Sequence, residues 1–474
     1  MDFHVTLSGR GDLGGQIYRQ LRAAVLDGRL RPGEALPPTR ELARRLEVSR
    51  NTVTGAYDRL VAEGFADSRI GAGTFARLGD PGRGGRRGAP VGGAVRPRAL
   101  WAGATVPTVR FLDDAPEYDL RAGLPDVRLF PYEAWRRLTT RELRAAAMGT
   151  GMHGDPAGHA GLRAAIARHV GLSRAVRTDA DDVFVCQGVQ QALDLIGRVL
   201  VEPGDRVAVE EPGYPPAREL FRSMGADVVG VPVDGDGLRV DALPDDAKVL
   251  YVTPSHQFPL GMPMTLERRL ALLDWVRHRD AVVIEDDYDT EFRYGGRPIE
   301  PLQSLDDTGR VLYVGTFSKV MFPALRLGFV VAPASLHAAL RAAKYVSDWH
   351  SSTPTQAALA AFIDEGLLAR HIRRMRREYQ ARHQRIAGLL TRDFAGVLTS
   401  VPAEAGLHLS AWAAAGVDVR ETVRTARAAG VGLYPLSRFR TADGPDGLVF
   451  GYGAIPLQRI DEALHRLRAA VAFA

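Results

Sequence analysis

Beyond about residue 112, helical stretches alternate with short Val/Ile/Leu runs at 183–186, 206–210, 249–253, 281–286 and 311–315, each bounded by Gly, Pro or Asp. No other feature narrows the fold so far. A strand that is apolar on both faces must be covered on both, and helices between successive parallel strands provide that cover. The alternation therefore predicts an α/β domain with a largely parallel sheet, and ligands bind such sheets at the carboxyl ends of the strands. From about residue 367 to the end the alternation lapses, which predicts a smaller α+β subdomain.

At 474 residues the chain exceeds one ordinary core. The run GDPGRGGRRGAPVGGAVRPRALWAGAT has no apolar periodicity, so residues 79–112 read as a Gly/Pro/Arg-rich linker between residues 1–78 and 113–474. Charge divides the same way. Residues 1–78 carry 12 Arg against 9 Asp/Glu and the linker 6 Arg against 1 Asp, while the whole chain is only +5. A basic front end suggests a polyanionic partner. The single cysteine, Cys186, excludes a disulfide framework or a Cys-rich zinc site, and no metal is expected. No apolar run reaches the roughly 20 residues of a membrane span. The opening MDFHVTLSGRGD lacks a signal-peptide core, so the cytoplasm is the expected compartment.

In the front end, Ile17, Leu21, Val25 and Leu26 recur at helical spacing before Gly28. A second helix is predicted over 39–46 and a third from the capping Ser49 through Val61, with Gly64 as its stop. Two extended segments, 65–69 and 74–78, flank Gly71-Ala72-Gly73 as a hairpin. The segment RPGEALPPTRELARRLEVSRNTVTGAYDRLVAEGF resembles the winged helix-turn-helix of the GntR family. That resemblance implies double-stranded operator DNA as partner. Arg50, Asn51, Thr52 and Thr54 then stand at the start of the reading helix, Arg40 matches a DNA-contacting arginine, and Gly71 and Gly73 form the tip of the wing.

Lysine is scarce, with only Lys248, Lys319 and Lys344, because arginine supplies nearly every other cation. Lys319 sits in VGTFSKVMFPALRLGF, where Thr316, Ser318 and Arg326 offer two hydroxyls and a guanidinium fork to a phosphate dianion. A lysine among such donors can form a Schiff base with pyridoxal phosphate. The pattern resembles the fold-type-I aminotransferases over roughly residues 118–474. By that resemblance Asp286 pairs with the cofactor's pyridine nitrogen, with Glu285, Asp287 and Asp289 as near alternatives. Tyr288 reaches its phenolic oxygen, Tyr214 stacks on its ring, and Val189 and Gln190 turn backbone amides to its phosphate. Phe258 occupies the slot where aminotransferases carry an Asn, and His256 in the same loop is a candidate to approach the cofactor.

The two resemblances together identify the MocR type: a winged helix-turn-helix fused to a fold-type-I aminotransferase-like domain with a large α/β part and a small C-terminal α+β subdomain. No catalytic residue is assigned, since Val449 stands where relatives that hold an amino-acid carboxylate carry an arginine. Arg438, Arg440 and Arg293 are the candidate substitutes. What this implies is a regulator of vitamin B6 synthesis or salvage with pyridoxal phosphate as effector. One alternative is a regulator sensing an amine or amino acid through an external aldimine; another is a true aminotransferase. The type also implies a homodimer, arranged head to tail, reading two half-sites.

Overall fold

Ser49 has an extended backbone, and its side chain accepts from the amide of Thr52 at 3.1 Å, which starts the helix Arg50–Ala62. Helices Leu13–Leu26 and Thr39–Arg45 precede it, and antiparallel strands β1 (Ala66–Arg69) and β2 (Gly73–Ala76) follow. This computed structural model describes residues 5–9, 11–69, 71–77, 96, 98–102, 115–144, 152–295 and 300–473, so all but 96 and 98–102 of the expected linker lies outside the described residues. Ile17, Leu21, Leu42, Val53, Tyr57 and Leu60 close one small core. Between the second and third helices Glu47 adopts φ 55°, a conformation costing a non-glycine residue roughly 1–2 kcal/mol, and this sharp corner separates the two axes. The hairpin pairs Arg69 with Gly73, and Gly71 and Gly73 hold φ of 76° and 108°, which only glycine adopts without strain.

The second unit, Val106–Ala474, is built on an eight-stranded sheet. Its strands are β4 (Val183–Cys186), β5 (Arg206–Glu211), β6 (Asp227–Asp234), β7 (Gly237–Leu238), β8 (Ala247–Val252), β9 (Val282–Asp287), β10 (Val311–Thr316) and β11 (Gly328–Val331), in the order 4-11-10-9-8-5-6-7. The pairings from β6 to β10 are parallel; β11 runs against β10 and β4, and β7 against β6. Helices Val189–Leu200, Pro215–Ser223 and His337–Asp348 cover one face around Leu193, Ile196, Phe221, Ile284 and Val314, while helix Leu266–Arg279 covers the other around Leu250, Leu272 and Val283. Both faces being sealed explains why the strands read as continuous apolar runs.

The C-terminal part forms the smaller subdomain that lapsed alternation predicts. Strands β12 (Leu398–Ser400), β13 (His408–Ala413), β15 (Tyr434–Pro435) and β16 (Gly447–Gly451) make an antiparallel sheet, β14 (Val431–Gly432) pairs in parallel with β3 (Tyr118–Asp119), and helices Leu367–Asp393, Val419–Ala428 and Ile460–Ala470 accompany them. Among the described residues no helix is long and apolar enough to cross a membrane.

Candidate functional site

Successive strand ends deliver the side chains of the site: Gly188 follows β4, Tyr214 follows β5, His256 follows β8, Asp286 is the last residue but one of β9 with Tyr288 just beyond the strand, and Thr316 ends β10 with Ser318 and Lys319 following. Gly188, at φ 80°, opens the helix Val189–Leu200, so Val189 and Gln190 lie in a first turn whose amides lack helical acceptors. A Cβ at Gly188 would lie 3.1–3.3 Å from the Arg326 guanidinium, which donates to the Gln187 carbonyl. The Thr316 and Ser318 hydroxyls are 3.1 Å apart, and Thr316 pairs with Gly328, whose own missing side chain admits the Gly188 backbone. A helix start, two hydroxyls and a guanidinium are thus gathered in one place, and Arg326 forms no ion pair with any described residue. Such a cup suits a phosphate dianion.

The pleat of β9 sorts its acids. Glu285 takes the amides of Leu302 and Gln303 at 2.9 Å each, with Arg269 at 3.8 Å. Asp287 pairs with Arg174 and the Tyr313 hydroxyl, both at 2.7 Å. Asp286 points to the opposite face, where one carboxylate oxygen accepts from Tyr251 at 2.6 Å and the other is buried without a partner. Burial pushes its pKa up to about 7, with Tyr251 and Lys319 pulling it down. An unpartnered buried carboxylate oxygen is a place for a cationic N–H donor.

Lys319 donates to the Gly123 carbonyl at 2.8 Å, and burial lowers its pKa against the pull of Asp289 and Asp286. A less basic lysine supplies the neutral amine that adds to an aldehyde. Burial raises the Tyr214 pKa to about 12; Asp286 adds to this and Arg326 opposes it, so the ring lies within reach of both charges. Phe258 meets Tyr214 edge-on at 5.7 Å.

Tyr288 and His256 come together: the Tyr288 hydroxyl donates to the His256 carbonyl at 2.9 Å and lies 3.0 Å from its Nδ1. That nitrogen is also 2.9 Å from Asp289, whose other oxygen accepts the Leu407 amide at 3.0 Å. His408 stands 4.7 Å from the His256 ring, and burial lowers its pKa to about 3. Polar atoms of His256, Asp289 and His408 lie within 4.8 Å of one another, joined to the backbone by these bonds and by His408 Nε2 facing the Pro259 carbonyl at 3.1 Å. Sequence reasoning missed Gly123, Tyr251 and His408, and weighed Asp289 only as an alternative to Asp286.

Val449 is fully buried with Leu260, Met262, Leu436 and Phe439, an apolar cluster that offers a carboxylate nothing. Of the arginines named as substitutes, Arg438 lies over the Tyr434 ring at 4.9 Å, Arg440 donates to the Pro445 carbonyl and Arg293 to that of Gly295.

In the first unit Arg40, Arg50 and Asn51 are exposed, and Thr52 and Thr54 are half-buried. The Thr54 hydroxyl donates to the Arg50 carbonyl at 3.0 Å, while that of Thr52 lies 2.8 Å from Ser49 Oγ. Arg40 and Arg50 form no ion pair with a described residue, which leaves both guanidinium charges available to an anion.

Fold and site together define an aminotransferase-like domain joined to a helix-turn-helix head. Residues 119–411 match the family "Aminotransferase class I and II" and residues 13–76 match "Bacterial regulatory proteins, gntR family". The chain is 39% identical to the probable rhizopine catabolism regulatory protein MocR of Rhizobium meliloti, across 96% of its own length and 93% of the relative's. It is 33% identical to the pyridoxine biosynthesis transcriptional regulator PdxR of Corynebacterium glutamicum, across 93% and 91%. Crystalline LysN, an α-aminoadipate aminotransferase of Thermus thermophilus complexed with N-(5'-phosphopyridoxyl)-L-leucine, superposes with a TM-score of 0.68 at 30% identity, covering 74% of this chain and 91% of that one. The chain belongs to the MocR-type transcriptional regulators of the gntR family. Its residues fit pyridoxal phosphate: the cup at Gly188 and Arg326 could hold the phosphate, the orphaned Asp286 oxygen the pyridine nitrogen, and Lys319 the aldehyde carbon.

Proposed function

We propose that this regulator binds pyridoxal phosphate at Lys319 and uses it as its effector to control vitamin B6 synthesis or salvage. The observation that carries the reading is the buried Asp286 carboxylate with one oxygen unpartnered and a pKa near 7, at the strand ends that also carry a cup of phosphate donors. When bound, the cofactor supplies an aldehyde and an electron-withdrawing ring. The protein supplies the amine at Lys319, the acid at Asp286, the aromatic neighbour Tyr214, and donors from Val189, Gln190, Thr316, Ser318 and Arg326. Tyr288, held beside His256, would reach the cofactor's phenolic oxygen. The apolar surroundings of Val449 weigh against an α-amino acid as substrate, and so against an aminotransferase. The pyridoxine biosynthesis regulator among the relatives supports B6 control.

A second reading, an effector amine without a carboxylate, is favoured by the same apolar cluster and by the rhizopine catabolism regulator at 39% identity. In either case residues 1–78 are the DNA head, 79–112 the linker and 113–474 the effector domain, and a head-to-tail homodimer presents two heads to two half-sites of an operator. Operator DNA as partner makes the cytoplasm the place of action. An absorption titration with pyridoxal phosphate, then amines and amino acids, separates the readings. A band that needs Lys319 and ignores every amine supports the first; a band shifted by one amine supports the second. Turnover of an amino donor with a 2-oxo acid at an enzyme's rate favours the aminotransferase instead, whereas weak, vestigial turnover is compatible with a regulator on this fold.

A further inference from the structure

Lys344 is the third lysine of the chain, 1% exposed, and the site above makes no use of it. On helix His337–Asp348 its ammonium pairs with one carboxylate oxygen of Asp348. The other Asp348 oxygen accepts from Gln187 Nε2 and from Gln191 Nε2, each at 2.8 Å. Gln191 Oε1 in turn accepts the Gln187 backbone amide at 2.8 Å, and the Gln187 carbonyl takes the Arg326 guanidinium. Gln187 is therefore held at its amide, its carbonyl and its side chain. It is the residue immediately before Gly188, whose peptide aims the first amides of helix Val189–Leu200. A small rotation of that peptide would turn those amides away from a common anion.

An ion pair that buries its lysine completely is a poor way to stabilise a helix, because apolar side chains of the same volume serve as well or better. Two apolar side chains cannot accept two amide donors. Nor can a lone carboxylate stand next to a dianion site without repelling the ligand, and Lys344 neutralises it. Resting on the pyridoxal phosphate reading, we propose that the pair of buried Lys344 and half-buried Asp348 is a positioning device. It braces the Gln187–Gly188 turn through Gln187 and Gln191, and so gives the site its preference for a phosphorylated ligand over the same ring without phosphate.

The test measures dissociation constants for pyridoxal phosphate and for 5′-deoxypyridoxal from the Lys319-dependent absorbance band of the full-length protein. The variants are Gln191→Ala, which leaves the ion pair in place, and the double change Lys344→Met with Asp348→Leu, which keeps the volume and strands no charge. Hydrogen bonds to a charged group are worth enough that each variant should bind pyridoxal phosphate about tenfold more weakly or worse. Binding of 5′-deoxypyridoxal should stay within about twofold, so the ratio of the two constants collapses. An unchanged ratio in folded protein overturns the proposal and leaves the cofactor reading intact. Absence of any Lys319-dependent band in the wild type overturns the cofactor reading, and this one with it.

Discussion

Asp286→Asn in cofactor-free protein isolates the charge on which the site reading rests. The folded-state pKa of Asp286 is about 7 against 3.8 for the free side chain, chiefly through burial. Between those values the folded state keeps a proton that the unfolded state releases, so each step up in pH favours unfolding. Above pH 7 the full cost is present. At about 1.36 kcal/mol per pH unit this amounts to about 4 kcal/mol, of which about 3 kcal/mol falls between pH 5 and pH 8. Asparagine carries no such charge. Its unpartnered amide costs something, but equally at every pH, and Glu210, whose pKa burial raises to about 7 with a further push from the Asp286 charge, loses that push in the variant, which adds to the variant's gain rather than opposing it. Urea unfolding of both proteins, followed by circular dichroism across this range, should show the variant gaining about 3 kcal/mol on the wild type as pH rises. Saturating pyridoxal phosphate, by placing a cation against the carboxylate, should stabilise the wild type more than the variant at pH 8. A difference that stays flat from pH 5 to pH 8 would refute the assignment of the strained acid to Asp286.

Arg326→Ala removes the guanidinium beside Gly188 and should weaken pyridoxal phosphate binding by about 2 kcal/mol, roughly 30-fold, in the same titration, with little change for 5′-deoxypyridoxal. Arg174→Met strands the buried Asp287 carboxylate and should cost about 3–5 kcal/mol in denaturant unfolding, part of which Asp287→Asn restores. Arg50→Ala should weaken operator binding by about 1–3 kcal/mol in fluorescence anisotropy and leave the cofactor spectrum unchanged. Normal affinity would move the reading helix elsewhere.

The sequence shows most where one local rule decides. The run Val183–Cys186 is a strand with the predicted bounds, and Ser49 caps the third helix, because burial on both faces and an N-cap hydroxyl are both readable from neighbours in the chain. The predicted second helix, over 39–46, ends one residue early, with Leu46 as its C-cap. What depends on distant partners does not show. Tyr251 finds Asp286 across 35 residues, and Lys319 finds the Gly123 carbonyl across 196. The choice of Asp286 among four acids follows from pleat and pairing: alternation alone sets Glu285 and Asp287 on one face, but only the arrival of Arg269 and Arg174 identifies that face as the neutralised one. Lys344 and Asp348 stand four apart on a helix, a spacing that announces an ion pair, yet nothing local announces its burial or its reach to Gln187.

Pyridoxal phosphate bound through Lys319 is expected to change how the protein holds DNA, and a ligand does this only by preferring one DNA-binding arrangement over another. The direct measurement is the affinity of wild type and Lys319→Ala for the promoter DNA of the chain's own gene, with and without saturating pyridoxal phosphate at fixed salt. The predicted result is a shift of about fivefold or more in the wild type and none in Lys319→Ala. Equal affinity with and without cofactor, in wild-type protein whose absorbance band proves it bound, would contradict the account.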